Sequence, residues 1–266
     1  MTTPYDDVEY LVRSENRIAV LEALADDHHS RSKLQSLTDA SRVTVGRILE
    51  EMEQREWVTH EGWEYEATPL GKLLATDVRQ LIDTAATAQN LRDVVSHALY
   101  DATDIDLRWL ESAQIVRPGD RGDIIAMINR VGTLYEGATN QLQTVGGFFE
   151  YRTLDIVRRK VVDEGIPYTS VYTQEAIESA LSRSDARSHI AEILGTGNEI
   201  YVYEDEIPFI LSIIDGTIVM GATDDQGGPG PMIESDEETV LNWAKATHER
   251  YKREAVPLDP DTLESW

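Results

Sequence analysis

Four cations gather in one short stretch of an otherwise acidic chain. Arg31, Lys33, Arg42 and Arg47 lie between Ser30 and Ile48, where Asp39 is the lone acid, although the net charge of the whole chain is −25. Cations at this density suit nucleic acid. Arginine can hold guanine O6 and N7 with two parallel bonds, and threonine can reach a base edge or a phosphate. Arg42, Thr44 and Arg47 are therefore expected to read base edges. Arg31 and Lys33, near the start of the preceding helix, are expected to hold phosphates and set the register. Ser41, which caps the helix carrying Arg42, completes the expected DNA-binding set of Arg31, Lys33, Ser41, Arg42, Thr44 and Arg47. The alternative for the stretch is a helical module for protein contact with its arginines solvated.

A second basic cluster, Arg152, Arg158, Arg159 and Lys160, stands among Asp155, Asp163 and Glu164, and pairing with those acids is the favoured reading. Phe148, Phe149, Tyr151, Tyr172, Tyr201 and Tyr203 fall in or near expected strands. Ligands of α/β sheets bind at strand ends, so Tyr151, Arg152 and Tyr172 are the expected effector-binding residues. The remaining candidates favour plain readings. His28-His29 beside Asp26-Asp27 reads as a solvated loop, and His97, His189 and His248 as scattered surface residues. Ser188-His189 lacks the G-x-S-x-G elbow of a hydrolase. Gly195-Thr196-Gly197 lacks the third glycine of a dinucleotide loop and reads as a helix stop. Asp224-Asp225 reads as a solvated turn. No catalytic residue, metal site or cofactor is expected.

The elements that must position the first cluster are legible. Val8, Leu11, Val12, Ile18, Val20, Leu21 and Leu24 follow helical spacing as one helix or two short ones. Ser30 caps a helix of about Arg31 to Leu37, Thr38-Asp39-Ala40 is a tight turn, and Ser41 caps a longer helix with Val45, Ile48, Leu49 and Met52 inward. Two strands, Trp57 to His60 and Trp63 to Ala67, meet at a Glu61-Gly62 turn. This is the order of a winged helix-turn-helix. The wing carries Glu61, Glu64 and Glu66, so it is expected to do little of the reading. Thr68-Pro69 starts a helix to about Ala102 that dimerises or packs on the C-terminal domain.

Beyond a polar break at Asp101 to Asp106, strands and helices alternate. The expected strands are Ala113 to Val116, Leu142 to Tyr151, Pro167 to Tyr172, Glu199 to Tyr203, Phe209 to Ile214 and Thr217 to Ala222. Helices are expected to about Gly137, over Thr153 to Glu164, over Gln174 to Leu194 with a break near Ser182-Arg183-Ser184, and up to Ala255 after a Ser235/Glu238 capping box. Asp224 to Pro231 reads as a loop. The fold class is α+β, a winged helix-turn-helix followed by a mixed α/β sheet. The expected domains are 1–70 for DNA binding, 71–104 as linker or dimerisation helix, 105–258 as sensor and 259–266 as tail.

Composition sets the frame. Hydrophobic residues make up 41% of 266, enough for real cores. Cysteine is absent, which removes disulfides and thiolate chemistry. No apolar run reaches the roughly 18 residues of a membrane span, and the start MTTPYDDVEY is unlike a signal peptide. A cytoplasmic protein without membrane contact is expected. The acid excess, with lysine only at Lys33, Lys72, Lys160, Lys245 and Lys252, resembles proteins of salt-accumulating cells. In molar salt the Debye length is about 3 Å, so bulk repulsion from DNA is screened.

Val43-Thr44-Val45-Gly46-Arg47, Trp57-Val58, Tyr65-Glu66-Ala67-Thr68-Pro69-Leu70-Gly71, Asp215-Gly216-Thr217-Ile218-Val219-Met220-Gly221, Asn242-Trp243-Ala244 and Glu249-Arg250-Tyr251 together resemble archaeal winged-helix regulators with a methanogenesis-regulator middle domain, related in plan to TrmB-type regulators. The resemblance spans nearly the whole chain. It implies a DNA-binding transcription regulator, not an enzyme, whose sensor resembles half of a phospholipase-D-like fold. Phospholipase chemistry does not follow, because no histidine-x-lysine pair is present. The expected partners are double-stranded DNA, a second copy in a homodimer, and a small-molecule effector. The alternative is an α/β enzyme that uses its winged helix for protein contact.

Overall fold

The computed structural model describes residues 3–92, 104–116, 124–149, 151–223, 229–260 and 263. His97, the turn at Pro118 to Asp120, Asp224-Asp225, the start of the Asp101 to Asp106 break, the last residues of the expected linker helix and most of the expected tail lie outside them. The chain divides into two compact units, residues 1–86 and 87–266.

In the first unit the expected single or double helix is two, α1 (Pro4–Val12) and α2 (Glu15–Asp26). Thr3 and Asp6 form a reciprocal cap on α1, satisfying donors that a helix start leaves bare. Arg17 and Arg55 lie on the Tyr10 ring, 4.0 and 4.1 Å from its centroid. A strand that was not expected, β1 (His29–Ser30), precedes α3 (Arg31–Leu37) and α4 (Arg42–Glu53). Val45, Ile48, Leu49 and Met52 of α4 are buried with Leu21, Leu24 and Leu34, as the 3.6-residue period requires. β2 (Val58–Glu61) and β3 (Glu64–Ala67) form an antiparallel hairpin, with β1 added on the free edge of β3. The hairpin turn is Gly62-Trp63, one residue later than expected; Gly62 takes the left-handed conformation, φ 62°, which glycine adopts without steric cost. α5 (Pro69–Leu91) begins where Thr68 Oγ1 accepts a bond from Gly71 N at 3.1 Å. Only glycine fits at 71, because a Cβ there would stand 2.0 Å from the Trp57 carbonyl oxygen.

The second unit is an eight-stranded mixed sheet in the order β11-β7-β6-β5-β8-β9-β10-β4. Its strands are β4 (Gln114–Val116), β5 (Leu142–Gly146), β6 (Tyr168–Thr173), β7 (Glu199–Tyr203), β8 (Phe209–Ile214), β9 (Thr217–Thr223), β10 (Pro229–Ser235) and β11 (Val256–Pro257). β5, β6 and β7 run parallel, while β8, β9, β10, β4 and β11 pair antiparallel with their neighbours. One face is covered by α6 (Ile124–Gly137), α7 (Tyr151–Arg158), α8 (Gln174–Leu181) and α9 (Ser184–Gly195), and the other by α10 (Glu238–Glu254).

Four expectations change. The strand from Leu142 stops at Gly146 instead of running to Tyr151. A Cβ on Gly147 would lie 1.7 Å from the Ile207 carbonyl oxygen, so the chain leaves the sheet by passing against backbone, and Tyr151 begins a helix. β10 begins at Pro229, inside the Asp224 to Pro231 segment read as a loop, and its residues from Met232 to Ser235, where no strand was expected, pair with β9. The Ser235/Glu238 box does not form: Ser235 Oγ accepts from Glu237 N at 3.3 Å. His248 is buried, 1% exposed, and is not a surface residue. Val240, Trp243, Ala244, Thr247 and Tyr251 share its face, and burial holds its imidazole below the usual histidine range.

Candidate nucleic-acid interface and ligand pocket

The first cluster is assembled by caps. Ser30 Oγ accepts from Lys33 N at 3.3 Å, and Ser41 Oγ accepts from Thr44 N at 3.1 Å. These bonds start α3 and α4 at the expected residues and bring their N-terminal turns close to the same surface. Lys33, Arg42 and Arg47 are exposed and have no ion-pair partner among the described residues. Elsewhere acids abound, so three unpaired cations in one region mark a surface kept open for an outside anion.

The structure distinguishes the six expected DNA-binding residues from one another. Ser41 and Thr44 hold each other, with 2.9 Å between their hydroxyl oxygens, and Thr44 is half-buried; both are occupied in building the helix start. Arg31 donates to the Tyr65 hydroxyl of β3 at 3.1 Å. Its guanidinium also lies against α4, where a methyl group at Gly46 would stand 3.4 Å from Nη1. It joins α3, α4 and the hairpin.

Two exposed residues escaped sequence reasoning. Val43 is 83% exposed, one helical turn before Arg47 on the outermost line of α4. Trp63 is 87% exposed at the hairpin tip, between Glu61 and Glu64, which are exposed too. The signal for Val43 was present: with positions 45, 48, 49 and 52 inward, 43 and 47 point directly out.

The second basic cluster is neutralised. Arg158 contacts Asp163 at 2.7 Å and Glu192 at 2.5 Å. Arg159 pairs with Glu136 and Glu164. Lys160 is buried, and its Nζ donates to Glu164 at 2.8 Å and to the Ala138 carbonyl at 3.2 Å. It sits in a π-helical turn, Arg159–Asp163, that ends α7.

The expected effector residues divide between three hollows. Tyr151 lines an open pocket of about 500 Å³ beyond the C-terminal ends of β5 and β6, with Gly147, Phe148, Phe149 and Glu175. Tyr172 lines a small inner cavity below it, with Tyr135 and Tyr168. Phe149 borders both hollows; its ring centroid is 4.7 Å from that of Tyr172 and 5.7 Å from that of Tyr151. Arg152 stands apart, lining a third cleft with Ile128, Asn129 and Gly132. Among the described residues no group of three or more histidine, aspartate or glutamate side chains could hold a metal, and no helix is long and apolar enough to cross a membrane.

Comparison with known proteins places these units. Residues 5–90 match the family model of the HVO_A0261 N-terminal domain, and residues 125–254 that of the methanogenesis regulatory protein FilR1 middle domain. No curated protein matches. Among solved structures, TrmBL2, described as an archaeal chromatin protein with a novel mode of DNA binding, shares 13% identity at a TM-score of 0.44 over 95% of this chain and 99% of its own. Nuc of Salmonella typhimurium, a phospholipase D family member, shares 9% identity at 0.42 over 55% of this chain and 97% of its own. NucT from Helicobacter pylori shares 12% at 0.41 over 55% and 98%. The two family models between them leave only the segment between residues 90 and 125 and the chain ends unmatched: the chain joins a unit similar to the HVO_A0261 N-terminal domain to one similar to the middle domain of the methanogenesis regulatory protein FilR1.

Proposed function

We propose that the protein is a sequence-specific, DNA-binding transcription regulator adapted to high salt, with residues 1–70 as a winged helix-turn-helix, 71–104 as linker and 105–258 as a non-enzymatic sensor of phospholipase-D-like plan. The observation that carries this reading is the unpaired surface of Lys33, Arg42 and Arg47 in a chain of net charge −25. α4 lies in the major groove. Arg42 and Arg47 contact base edges, Val43 meets a thymine methyl group, Lys33 meets phosphate, and Arg31, Ser41 and Thr44 hold the reading surface in shape. At molar salt counterion release contributes little, so base contacts and DNA shape must supply the affinity.

The regulator acts as a homodimer. Val8, Val12 and Leu81 are half-exposed or more, and together with Leu74 and Val78 they line an apolar groove of about 120 Å³ between α1 and α5. That groove supports self-association through the N-terminal unit. A monomer mass by sedimentation in concentrated potassium chloride would end the dimer reading.

DNA bound across the genome identifies the operator, and fluorescence anisotropy on that operator then tests the interface. Arg42→Ala and Arg47→Ala should each weaken binding by about 1–3 kcal/mol, the usual worth of a bidentate base contact, with the unfolding midpoint unchanged. Unaltered affinity in both variants would remove α4 as the reading element.

A further inference from the structure

The strongest unassigned feature is the pair of hollows joined at Phe149. The inner one is small, about 20 Å³, room for roughly one water, and it is lined by Tyr135, Tyr168, Tyr172 and Phe149. Three of its lining residues are tyrosines, and Tyr135 reaches further hydroxyls behind the wall. Tyr135 donates to Ser212 Oγ at 3.0 Å, and Thr144 Oγ1 lies 3.4 Å from Ser212 Oγ. Ser170, on the same face of β6 as Tyr168 and Tyr172, is fully buried, and its hydroxyl lies near the Tyr168 phenol but within hydrogen-bond geometry of no partner among the described residues. Buried polar groups are nearly always satisfied, so a hydroxyl left without a full bond behind the lining tyrosines favours a polar guest over an apolar one.

Charge narrows the guest. Among the described residues no ionised side chain lines the inner cavity. Burial, with the Tyr135 phenol nearby, pushes the Tyr168 hydroxyl up to about 12, and Tyr172 is raised as well, so the tyrosines stay neutral donors and acceptors. Among the described residues the outer pocket adds one carboxylate, Glu175, and no cation. Arg183 lies 4.5 Å over the Tyr151 ring, but it is paired with Asp185 at 3.0 Å. An anion entering here would lose its water without gaining a cation. Shape narrows it further. Phe148, Phe149 and Tyr151 border the outer pocket, and Phe149 is tilted 41° against Tyr172. Offset or tilted rings of this kind accept another flat ring at the same spacing.

We infer that the Phe149 site binds an uncharged, planar aromatic molecule bearing a hydroxyl or carbonyl oxygen, its ring among Phe148, Phe149 and Tyr151 and its oxygen directed past Phe149 to the tyrosine hydroxyls. The inference rests on the sensor reading above and names the chemistry of what is sensed. Phe149 moves aside to admit the oxygen, and its motion reaches α7 through Tyr151.

The test is calorimetric titration of the full chain in concentrated potassium chloride with three probes of matched size: p-cresol, 4-methylbenzoate and 4-methylcyclohexanol. The first is expected to bind saturably. The second, anionic, should bind at least about ten times more weakly, and the third, neutral but not flat, about 2–12 times more weakly. Tyr172→Phe, which keeps the ring, and Phe149→Leu should each weaken p-cresol by about 2–12-fold, with circular dichroism unchanged. Arg42→Ala should leave it alone. Absence of p-cresol binding, equal binding of the benzoate, or indifference to both variants overturns the inference, whatever DNA binding does. Binding of p-cresol as expected, with operator affinity unmoved by it, supports the ligand class and overturns the sensor reading instead.

Discussion

The two basic clusters use the same residue types and end in opposite states. On α3 and α4, Lys33, Arg42 and Arg47 reach solvent with no acid to hold them. At the end of α7, Arg158, Arg159 and Lys160 are each fastened to carboxylates from their own or neighbouring helices. The difference lies in where the neighbouring acids turn. Asp163 and Glu164 follow the second set within helical reach and pair with it, whereas Glu50 and Glu51, at the same spacing from Arg47, do not pair with it among the described residues, and Glu51 faces Arg17 instead. The two clusters thus differ in whether nearby acids are turned onto the cations, and the proposed binding surface is the one where they are not.

The contrast is broken most severely at Lys160. Lys160→Ala should cost about 1–3 kcal/mol of stability, because it leaves the buried Ala138 carbonyl without its donor and empties packed space, while Glu164 stays in water. Operator affinity per folded molecule should not change. A parallel loss of DNA affinity would mean that the second cluster also touches DNA and that the contrast is false.

Acid titration should separate the units next. His248 is held below the usual range by burial, so its contribution to stability is complete above about pH 6.5 and is lost as pH falls through its lower folded value. Burial raises the Asp215 carboxyl, but bonds from the backbone of Gln141, Thr139 and Asn140 outweigh this and leave it below the usual range. Its contribution is present above about pH 4 and lost as pH falls through the depressed folded value. Thermal melts of the second unit should therefore decline in two steps below pH 6.5, with the first step missing in His248→Gln. A flat midpoint from pH 7 to pH 5 would contradict the burial of His248.

The smallest effect is expected at Arg31. Because its guanidinium is already engaged by Tyr65, Arg31→Ala should weaken operator binding less than Arg47→Ala, by about 0.5–1 kcal/mol, as for a neutral hydrogen bond. Anisotropy on one operator compares the two directly, and an equal or larger loss at Arg31 would show that it contacts DNA itself.

Much of this was readable before any coordinates. Ser30, Ser41 and Thr68 cap where they were expected to, because a hydroxyl before a helical period has one main use. The parallel strands follow from their β-branched and aromatic runs. What escaped was set by long-range pairing or by near approach. β1 is two residues long and exists only because β3 offers an edge. β10 hides in glycine and proline, and its partner β9 supplies the order. The end of β5 is decided by Ile207, sixty residues away from Gly147. The hollows at Phe149 join residues from separate elements, so Tyr151 and Tyr172 could be named by their place near strand ends, whereas the separation of Arg152 could not.

Arg31 has one more consequence. A single side chain that touches α3, the backbone of α4 at Gly46 and the Tyr65 hydroxyl acts as a strut. It ties α4 to the hairpin, so in the proposed DNA complex this unit would have little internal freedom to lose on docking. In the molar salt of the proposed setting, where long-range attraction is nearly gone, that saved entropy would be one of the few remaining sources of affinity.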